Sequence, residues 1–325
     1  MKLFKKIKNI HFVGIGGAGM IGIAKVLLQK GYKISGSDIS DSKELKKLRN
    51  DGAKVYIGHS EKNIRGSDLV VMSSAIDKKN PEIVKAKKDS ITIIPRAEML
   101  GSIMIGYESI AVAGSHGKTT TTSMIAKIFS VSNLSPTYVV GGRVLSANEN
   151  SYLGDGNYFI AEADESDGTF THLQPDVAVL TNIDDDHLVH YNNNFESLLD
   201  SFVMFLENVP FYGYIVINGD DKNINKISKR VSRKQISFGE SKNCDYQIVN
   251  IEPLKGSQKF NILNIRKNKV YKFKLNLPGK HNVFNAAASI AVSLEERVPI
   301  SLIRKGINQF SGVGRRYEKH NIKIS

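Results

Sequence analysis

Gly114-Ser-His-Gly-Lys-Thr-Thr120 gathers the residue types that hold a polyphosphate. Glycines let backbone N–H groups close round phosphate oxygens, and a helix beginning at the lysine points its positive end at the anion. Lys118 would neutralise the outer phosphates, and the Thr119 hydroxyl suits Mg²⁺. The generic loop has four residues between its glycines, whereas this one has only Ser115 and His116 between Gly114 and Gly117. A second run, Gly14-Ile-Gly-Gly-Ala-Gly19, has Asp38 about twenty residues further on. That pattern offers a helix start (Gly14, Gly16, Gly17, Ala18, Gly19) to a diphosphate and Asp38 to a ribose hydroxyl, without saying which nucleotide.

Carboxylates crowd Glu162-Ala-Asp-Glu-Ser-Asp-Gly168. Like charges so close need a positive offset, and Mg²⁺ with ATP phosphates would supply it; a solvated acidic loop is the alternative. Thr181-Asn-Ile-Asp-Asp-Asp-His187 is a second polar, metal-capable stretch. No Cys/His pair of recognised spacing accompanies it, which favours Mg²⁺ over a transition metal.

The elements that must position these groups are strands alternating with helices. Apolar runs at Ile10–Val13, Lys33–Gly36, Lys54–Ile57, Leu69–Met72 and Thr92–Ile94 end in polar residues. His59 and Ser73-Ser74 thus fall just past strand carboxyl ends, where open α/β sheets bind ligands. His59 can equally be a loop residue, and Ser73 or Ser74 a helix cap. The rhythm pauses around Gly101–Ser109 and resumes with Ile110–Ala113, Tyr158–Ala161, Val177–Leu180 and Tyr214 onward. Ile236–Asn276 loses the alternation, and Phe260–Ile265 and Tyr271–Leu275 read as antiparallel strands. Helices follow from Asn282 to about Glu295 and over Ile300–Phe310, with His281 and Asn282 either capping the first or, with Asn285, reading an adenine edge.

A chain of 325 residues suggests two domains. Its net charge of +13 comes from lysines scattered along the chain, without the basic, aromatic-interleaved stripe of a nucleic-acid surface. One cysteine, Cys244, excludes an internal disulfide framework and suits a reducing compartment. The basic N-terminus has too short an apolar run for a signal peptide, and no segment is long enough to span a bilayer, so a cytoplasmic protein without membrane insertion is expected.

Taken together the motifs resemble the bacterial Mur ligases. His11-Phe-Val-Gly-Ile-Gly-Gly-Ala-Gly-Met-Ile-Gly-Ile-Ala24, Ser73-Ser-Ala-Ile76 and Arg96-Ala-Glu-Met-Leu100 resemble the first domain of the branch that joins L-alanine to UDP-N-acetylmuramate. Ala113–Thr122, Glu162–Gly168, Thr181–Asp184, Pro278-Gly-Lys-His-Asn282 and Gly312-Val-Gly-Arg-Arg316 resemble the family's ATP domain. The resemblance implies an α/β protein with a Rossmann-like UDP-sugar-binding domain over 1–106. It also implies a central P-loop-type ATPase domain with a mostly parallel sheet over 107–312, and a linker over 313–325.

By position, Gly114, Ser115, His116, Gly117, Lys118, Thr119 and Thr120 would hold the ATP phosphates, with Arg315 contributing. His281, Asn282 and Asn285 would sit by the adenine. Lys118, Glu162 and His187 would be the catalytic residues, with Thr119 and Glu162 on one Mg²⁺ and His187 helping to hold a second. Gly14, Gly16, Gly17, Ala18, Gly19, Asp38, His59, Ser73 and Ser74 would hold the UDP portion. Ser115 stands where the family usually has threonine, and Val189 where it has a second aspartate.

The family's third, carboxyl-terminal domain is expected to be absent from the chain, which is then either a fragment of a longer protein or a split gene product that a separately encoded domain completes. The implied activity is ATP-dependent ligation through an acyl phosphate in peptidoglycan precursor synthesis. A sibling or peptide-recycling ligase, a non-catalytic nucleotide-sugar-binding fragment and a nicotinamide oxidoreductase are the alternatives.

Overall fold

Short runs of β-branched residues bounded by glycines and polar residues form buried parallel strands, and the intervening amphipathic stretches form the helices that cover them. A computed structural model describes residues 4–144, 149–186 and 188–314. His187, Arg315 and Arg316 lie outside the described residues. The chain divides into two compact units, Met1–Gly106 with Ser151–Leu153, and Tyr107–Asn150 with Gly154–Ser325.

In the first unit the strands are β1 (Asn9–Val13), β2 (Lys33–Asp38), β3 (Lys54–Ile57), β4 (Leu69–Met72) and β5 (Thr92–Pro95). They pair in parallel in the order β3-β2-β1-β4-β5. The helices are α1 (Ala18–Gln29), α2 (Lys43–Asn50), α3 (Pro81–Lys88) and α4 (Arg96–Met104). After β1 the chain runs outward to β2 and β3, then crosses to β4 on the other side, so a topological switch point opens at the carboxyl ends of β1 and β4. Ile10, Phe12 and Val13 are fully buried in this sheet. Asn80 caps α3, its side chain accepting from the Glu82 N–H, and Pro81 supplies the first turn.

Beneath the first sheet lies a polar cluster that no periodicity announced. The Glu82 side chain is fully buried and accepts from Ser37 Oγ at 2.5 Å and Asn63 Nδ2 at 2.6 Å, with His11 Nε2 at 3.6 Å. Burial alone would raise this carboxyl, but the His11 ring, Ser37 and Asn63 outweigh it and hold Glu82 down to about 2. A carboxyl lowered on folding stabilises the native state above its unfolded value of 4.5, and the contribution is lost as pH falls toward 2. Between pH 5 and pH 3 the wild type should therefore lose roughly 2 kcal/mol more than Glu82→Gln in urea unfolding followed by circular dichroism. Parallel pH curves for the two proteins would contradict this.

The second unit begins with β6 (Glu108–Ala113), the Gly114–Gly117 loop and α5 (Lys118–Val131). Across its sheet the strands follow the order Lys269–Leu275, Ser257–Asn264, Tyr246–Leu254, Gln235–Gly239, Tyr214–Asn218, Val177–Leu180, β6, Tyr158–Glu162, Thr137–Val144. Pairing is parallel from Thr137–Val144 as far as Tyr246–Leu254, beyond which the last two strands are antiparallel. Loss of the strand–helix rhythm after Ile236 thus corresponds to an antiparallel extension of the same sheet.

The helices Lys280–Glu295 and Ile300–Gln309 pack with α5, and Ile125, Ile128, Phe129, Ala287, Ile290, Ala291 and Ile303 share one core. At the far end of the first of these helices, Glu296 accepts from Tyr158 at 2.8 Å and Tyr214 at 2.6 Å, and Glu295 accepts from Tyr246 at 2.7 Å. Burial and these carboxylates push all three phenols far above their usual range. Cys244 is buried and its thiol is pushed up to about 11, chiefly by burial, which makes it an inert packing residue.

Candidate active site

β6 is wholly buried from Ser109 to Ala113 and delivers the chain to a point where only glycine fits. Gly114 has φ +128°, and a Cβ there would lie 2.3 Å from Thr181 Oγ1 and 2.8 Å from the Asn182 carbonyl oxygen. Gly117 has φ +84°, and its Cβ would lie 2.3 Å from Asn285 Oδ1. Between them the loop is sewn to the segment after Val177–Leu180. Ser115 N donates to Asn182 O at 3.1 Å, His116 N to Asn182 Oδ1 at 2.7 Å, and Thr181 Oγ1 to His116 O at 2.6 Å.

Helix α5 then starts at Lys118 with Gly117 in the left-handed conformation and no side-chain cap. Helix α1 likewise starts after Gly17 without a cap, whereas Ser42 and Asn80 cap α2 and α3. The uncapped glycine starts leave backbone N–H groups for an anion. Inside α5 the buried Thr122 and Ser123 hydroxyls donate back to the Lys118 and Thr119 carbonyls.

Lys118 Nζ donates to Gly114 O at 2.7 Å and to Glu165 Oε1 at 2.8 Å. The Glu165 side chain is 1% exposed, and its Oε2 has no partner among the described residues. Burial raises the Glu165 carboxyl, and the adjacent lysine charge pulls against that rise. Glu162 accepts from Thr119 Oγ1 at 2.9 Å and from Gly141 N at 2.7 Å. The crowded carboxylates are therefore separated, Glu165 toward the lysine and Glu162 toward the hydroxyl, while Asp164 accepts from Ser166 N at 3.2 Å. The Thr119 hydroxyl and the Glu162 carboxylate that accepts from it are hard oxygen donors of the kind Mg²⁺ takes, although among the described residues no group of three His, Cys, Asp or Glu gathers as a metal site. Asp184 and Asp186 instead face the loop, each 3.3 Å from His116 Nε2. Val189 is 79% exposed and offers no ligand atom in the aspartate's place.

Beside the loop is a cavity of about 760 Å³, with His116, Gly117 and Thr120 on one wall and His281, Asn282 and Asn285 on another. Phe238, Leu277 and Phe284 give it the apolar surfaces an aromatic base needs. Asn285 is largely buried and accepts from Thr121 Oγ1 at 3.3 Å, so it also locks its helix to α5. Asn282 Nδ2 donates to Pro278 O at 2.7 Å, closing the turn before the helix. Sequence reasoning missed Asn218, the last residue of Tyr214–Asn218, and Phe238, the last but one of Gln235–Gly239; their signal was that placement near the carboxyl ends of parallel strands. It also missed Glu165 as the lysine's partner, since chain separation hides which of several carboxylates turns inward.

The first unit gathers its own set at the switch point. Gly14 has φ +79°, and a Cβ there would lie 3.1 Å from Ser73 Cβ, so the glycine loop lies against the end of β4. Gly16 N donates to Asp38 Oδ2 at 2.8 Å. Ser73 Oγ accepts from Ala75 N at 3.4 Å within a turn in which Ser74 is exposed, and α3 starts only at Pro81; neither serine is a helix cap. His59 Nδ1 lies 2.9 Å from Ser37 Oγ. Arg96, at the start of α4, was not singled out as a site residue, yet its Nη1 would lie 2.8 Å from a Cβ on Gly19, at the start of α1.

Residues 9–108 match the sequence family described as the Mur ligase family, catalytic domain, and residues 112–293 match the Mur ligase middle domain. A UDP-N-acetylmuramate–L-alanine ligase from Vesicomyosocius okutanii is 46% identical over 98% of this chain and 70% of its own length. The chain belongs to the Mur ligase family. Members of that family are ATP-dependent ligases, and its two matched domains coincide with the two glycine loops described above. Among solved structures, the UDP-N-acetylmuramate–alanine ligase of Thermotoga maritima is similar with a TM-score of 0.85 at 30% identity, over 96% of this chain and 70% of that one. The UDP-N-acetylmuramate:L-alanyl-γ-D-glutamyl-meso-diaminopimelate ligase of Neisseria meningitides is similar with a TM-score of 0.86 at 25% identity, over 95% of this chain and 100% of that one. Among the described residues no helix is long and apolar enough to cross a membrane.

Proposed function

We propose that the chain carries the nucleotide-binding part of a ligase that joins L-alanine to UDP-N-acetylmuramate in peptidoglycan precursor synthesis, in the cytoplasm. The observation that carries the reading is the Gly114–Thr119 loop, uncapped at α5 and opening on a cavity with an apolar, amide-edged wall. The similarity to an alanine-adding relative over nearly the whole chain supports the choice of amino acid.

In this reading residues 1–106 bind the UDP-sugar and residues 107–312 bind ATP. Residues 313–325 lead into a carboxyl-terminal domain, supplied in the same polypeptide or separately. Gly114–Thr120 cradle the phosphates, Arg315 assists them, and His281, Asn282 and Asn285 border the adenine. Phe238 and Phe284 enclose the base.

A carboxylate is a poor acyl donor to an amine until its oxygen is phosphorylated. The loop would hold the γ-phosphoryl group for transfer to the sugar's carboxylate, giving an acyl phosphate from which the amine would then displace phosphate. Lys118 would leave Glu165 for the phosphates and balance the charge that builds on them during transfer. Thr119 and Glu162 would hold one Mg²⁺ and His187 would help hold a second, ions that supply further charge neutralisation when bound. Catalysis then lies in alignment and charge, with no covalent bond to the protein.

Gly14, Gly16, Gly17, Ala18 and Gly19 would receive the diphosphate on α1, with Asp38, His59, Ser73 and Ser74 around the nucleoside. Asp38→Ala should weaken UDP-N-acetylmuramate binding by about tenfold or more, as expected for loss of a charged hydrogen-bonding group, and leave ATP affinity unchanged. Calorimetric titration of each nucleotide checks this. A fall in ATP affinity with unchanged UDP-sugar affinity would reverse the assignment of the two units.

A further inference from the structure

The buried Glu82 cluster reaches His59, past the carboxyl end of β3, through Ser37 and by a longer direct contact. Ser37 Oγ donates its one proton to Glu82 Oε2 at 2.5 Å. Facing His59, the same oxygen can therefore only accept, and His59 Nδ1 stands 2.9 Å from it and 3.3 Å from Glu82 Oε2. The proton on the neutral His59 ring must then sit on Nδ1, which leaves Nε2 with a free lone pair. The remaining Glu82 oxygen is occupied by Asn63 Nδ2 at 2.6 Å and the Ser60 N–H at 3.3 Å, so the carboxylate cannot turn away. Behind it, the fully buried His11 is held by Ser35 Oγ at 2.9 Å and closes the cluster from β1.

His59 is only partly exposed, with 15% of its side chain accessible. The preceding Gly58 N–H donates to the Asp38 carbonyl at 2.7 Å, which sets His59 beside Asp38 at the carboxyl ends of β2 and β3. We propose that Glu82, acting through Ser37, is a positioning residue that holds His59 as its Nδ1–H tautomer, so that Nε2 accepts from an O–H or N–H donor of the bound nucleoside. The inference rests on the reading of the first unit as the UDP site. A neutral Nε2 acceptor selects the sugar hydroxyls or the imide N–H of the base, and it has nothing to offer a phosphate, whose oxygens are all acceptors.

The test uses the full chain labelled with ¹⁵N-histidine, with UDP as the probe. Long-range proton–nitrogen spectra at pH 8, with His59 assigned by its loss in His59→Gln, should show an Nδ1–H ring whose Nε2 resonance moves when UDP is added. Ser37→Ala and Glu82→Gln should shift the ring toward the Nε2–H form and weaken UDP binding by about tenfold, the scale of one lost hydrogen bond that leaves a buried partner. A merely structural role for the cluster would not set the tautomer, and Ser37→Ala serves if Glu82→Gln does not fold.

Analogues lacking the 2′-hydroxyl or the 3′-hydroxyl, or methylated at N3, identify the donor, because one of them must lose the same factor on the wild-type protein. An Nε2–H ring in the wild type, an Nε2 unmoved by UDP, or three analogues that bind as UDP does would each overturn the proposal while leaving the UDP site intact. Absence of any UDP binding by the wild type would instead remove the nucleotide reading of this unit, and the proposal with it.

Discussion

Lys118→Ala is expected to lower ligation by roughly a hundredfold or more, the usual scale for removing one preorganised charge-stabilising group from a closed site. The lysine sits at the first position of α5, with its ammonium 2.7 Å from the Gly114 carbonyl, so it already lies over the loop that would carry the phosphates. The same substitution has a second consequence. It strips Glu165, whose side chain is 1% exposed, of its cation.

Breaking such a pair by removing one partner is ordinarily costly, on the order of 3–5 kcal/mol. Here the glutamate has an outlet, because burial has already raised its carboxyl and loss of the lysine raises it further. A carboxyl raised on folding binds its proton more tightly in the native state, so the native state loses stability as pH rises. The variant should thus remain folded near pH 5 and be destabilised more at pH 8, a difference that Glu165→Gln in the same background should remove. Thermal unfolding at the two pH values checks the stability. Turnover with ATP, UDP-N-acetylmuramate and L-alanine, with the family's carboxyl-terminal domain supplied, checks the activity. Retention of more than about a tenth of wild-type turnover would take Lys118 out of the catalytic role, since a transition-state contact demands a far larger loss.

Gly114→Ala should abolish ATP binding and destabilise the second unit by about 3 kcal/mol or more, the sum of a strained backbone and a steric clash. At φ +128° an L side chain is strained wherever its atoms go, and the new methyl group would sit 2.3 Å from Thr181 Oγ1. Thr181 cannot move aside cheaply, because its hydroxyl donates to His116 O at 2.6 Å and lies 3.2 Å from Ala113 O. The next obstacle, the Asn182 carbonyl at 2.8 Å, is backbone. Gly117→Ala meets a side chain first, Asn285 Oδ1, and should therefore cost less. Differential scanning calorimetry and titration with ATP measure both effects, with UDP titration as the control for the first unit. Wild-type ATP affinity in Gly114→Ala would show that the loop tolerates a side chain and is not the phosphate cradle.

What could be read from the chain alone was whatever depends on neighbours in sequence. The strands Leu69–Met72 and Val177–Leu180 have the bounds their apolar runs implied, because a buried parallel strand has to be apolar on both faces. The two glycine loops were legible because each is one short segment in which strand, turn and helix follow directly. Asp38 was legible because its spacing from Gly14–Gly19 is that of one strand–helix–strand step.

Tertiary structure alone decided which distant groups meet. Four carboxylates between Glu162 and Asp167 look alike in sequence, and only the packing of the following turn sends Glu165 to Lys118 and Glu162 to Thr119. Asn285 carries no mark of being the atom that excludes a side chain from Gly117, since 168 residues separate its helix partner Ser289 from Thr121. Nothing in the sequence set Glu82 apart. Its burial among His11, Ser37, His59 and Asn63 follows from the register that sets β1 beside β2 and brings α3 across them. Apolar burial is non-directional and leaves a periodic trace in the chain, whereas a hydrogen-bonded charge is placed by the geometry of all its partners at once, and that exists only in the folded state.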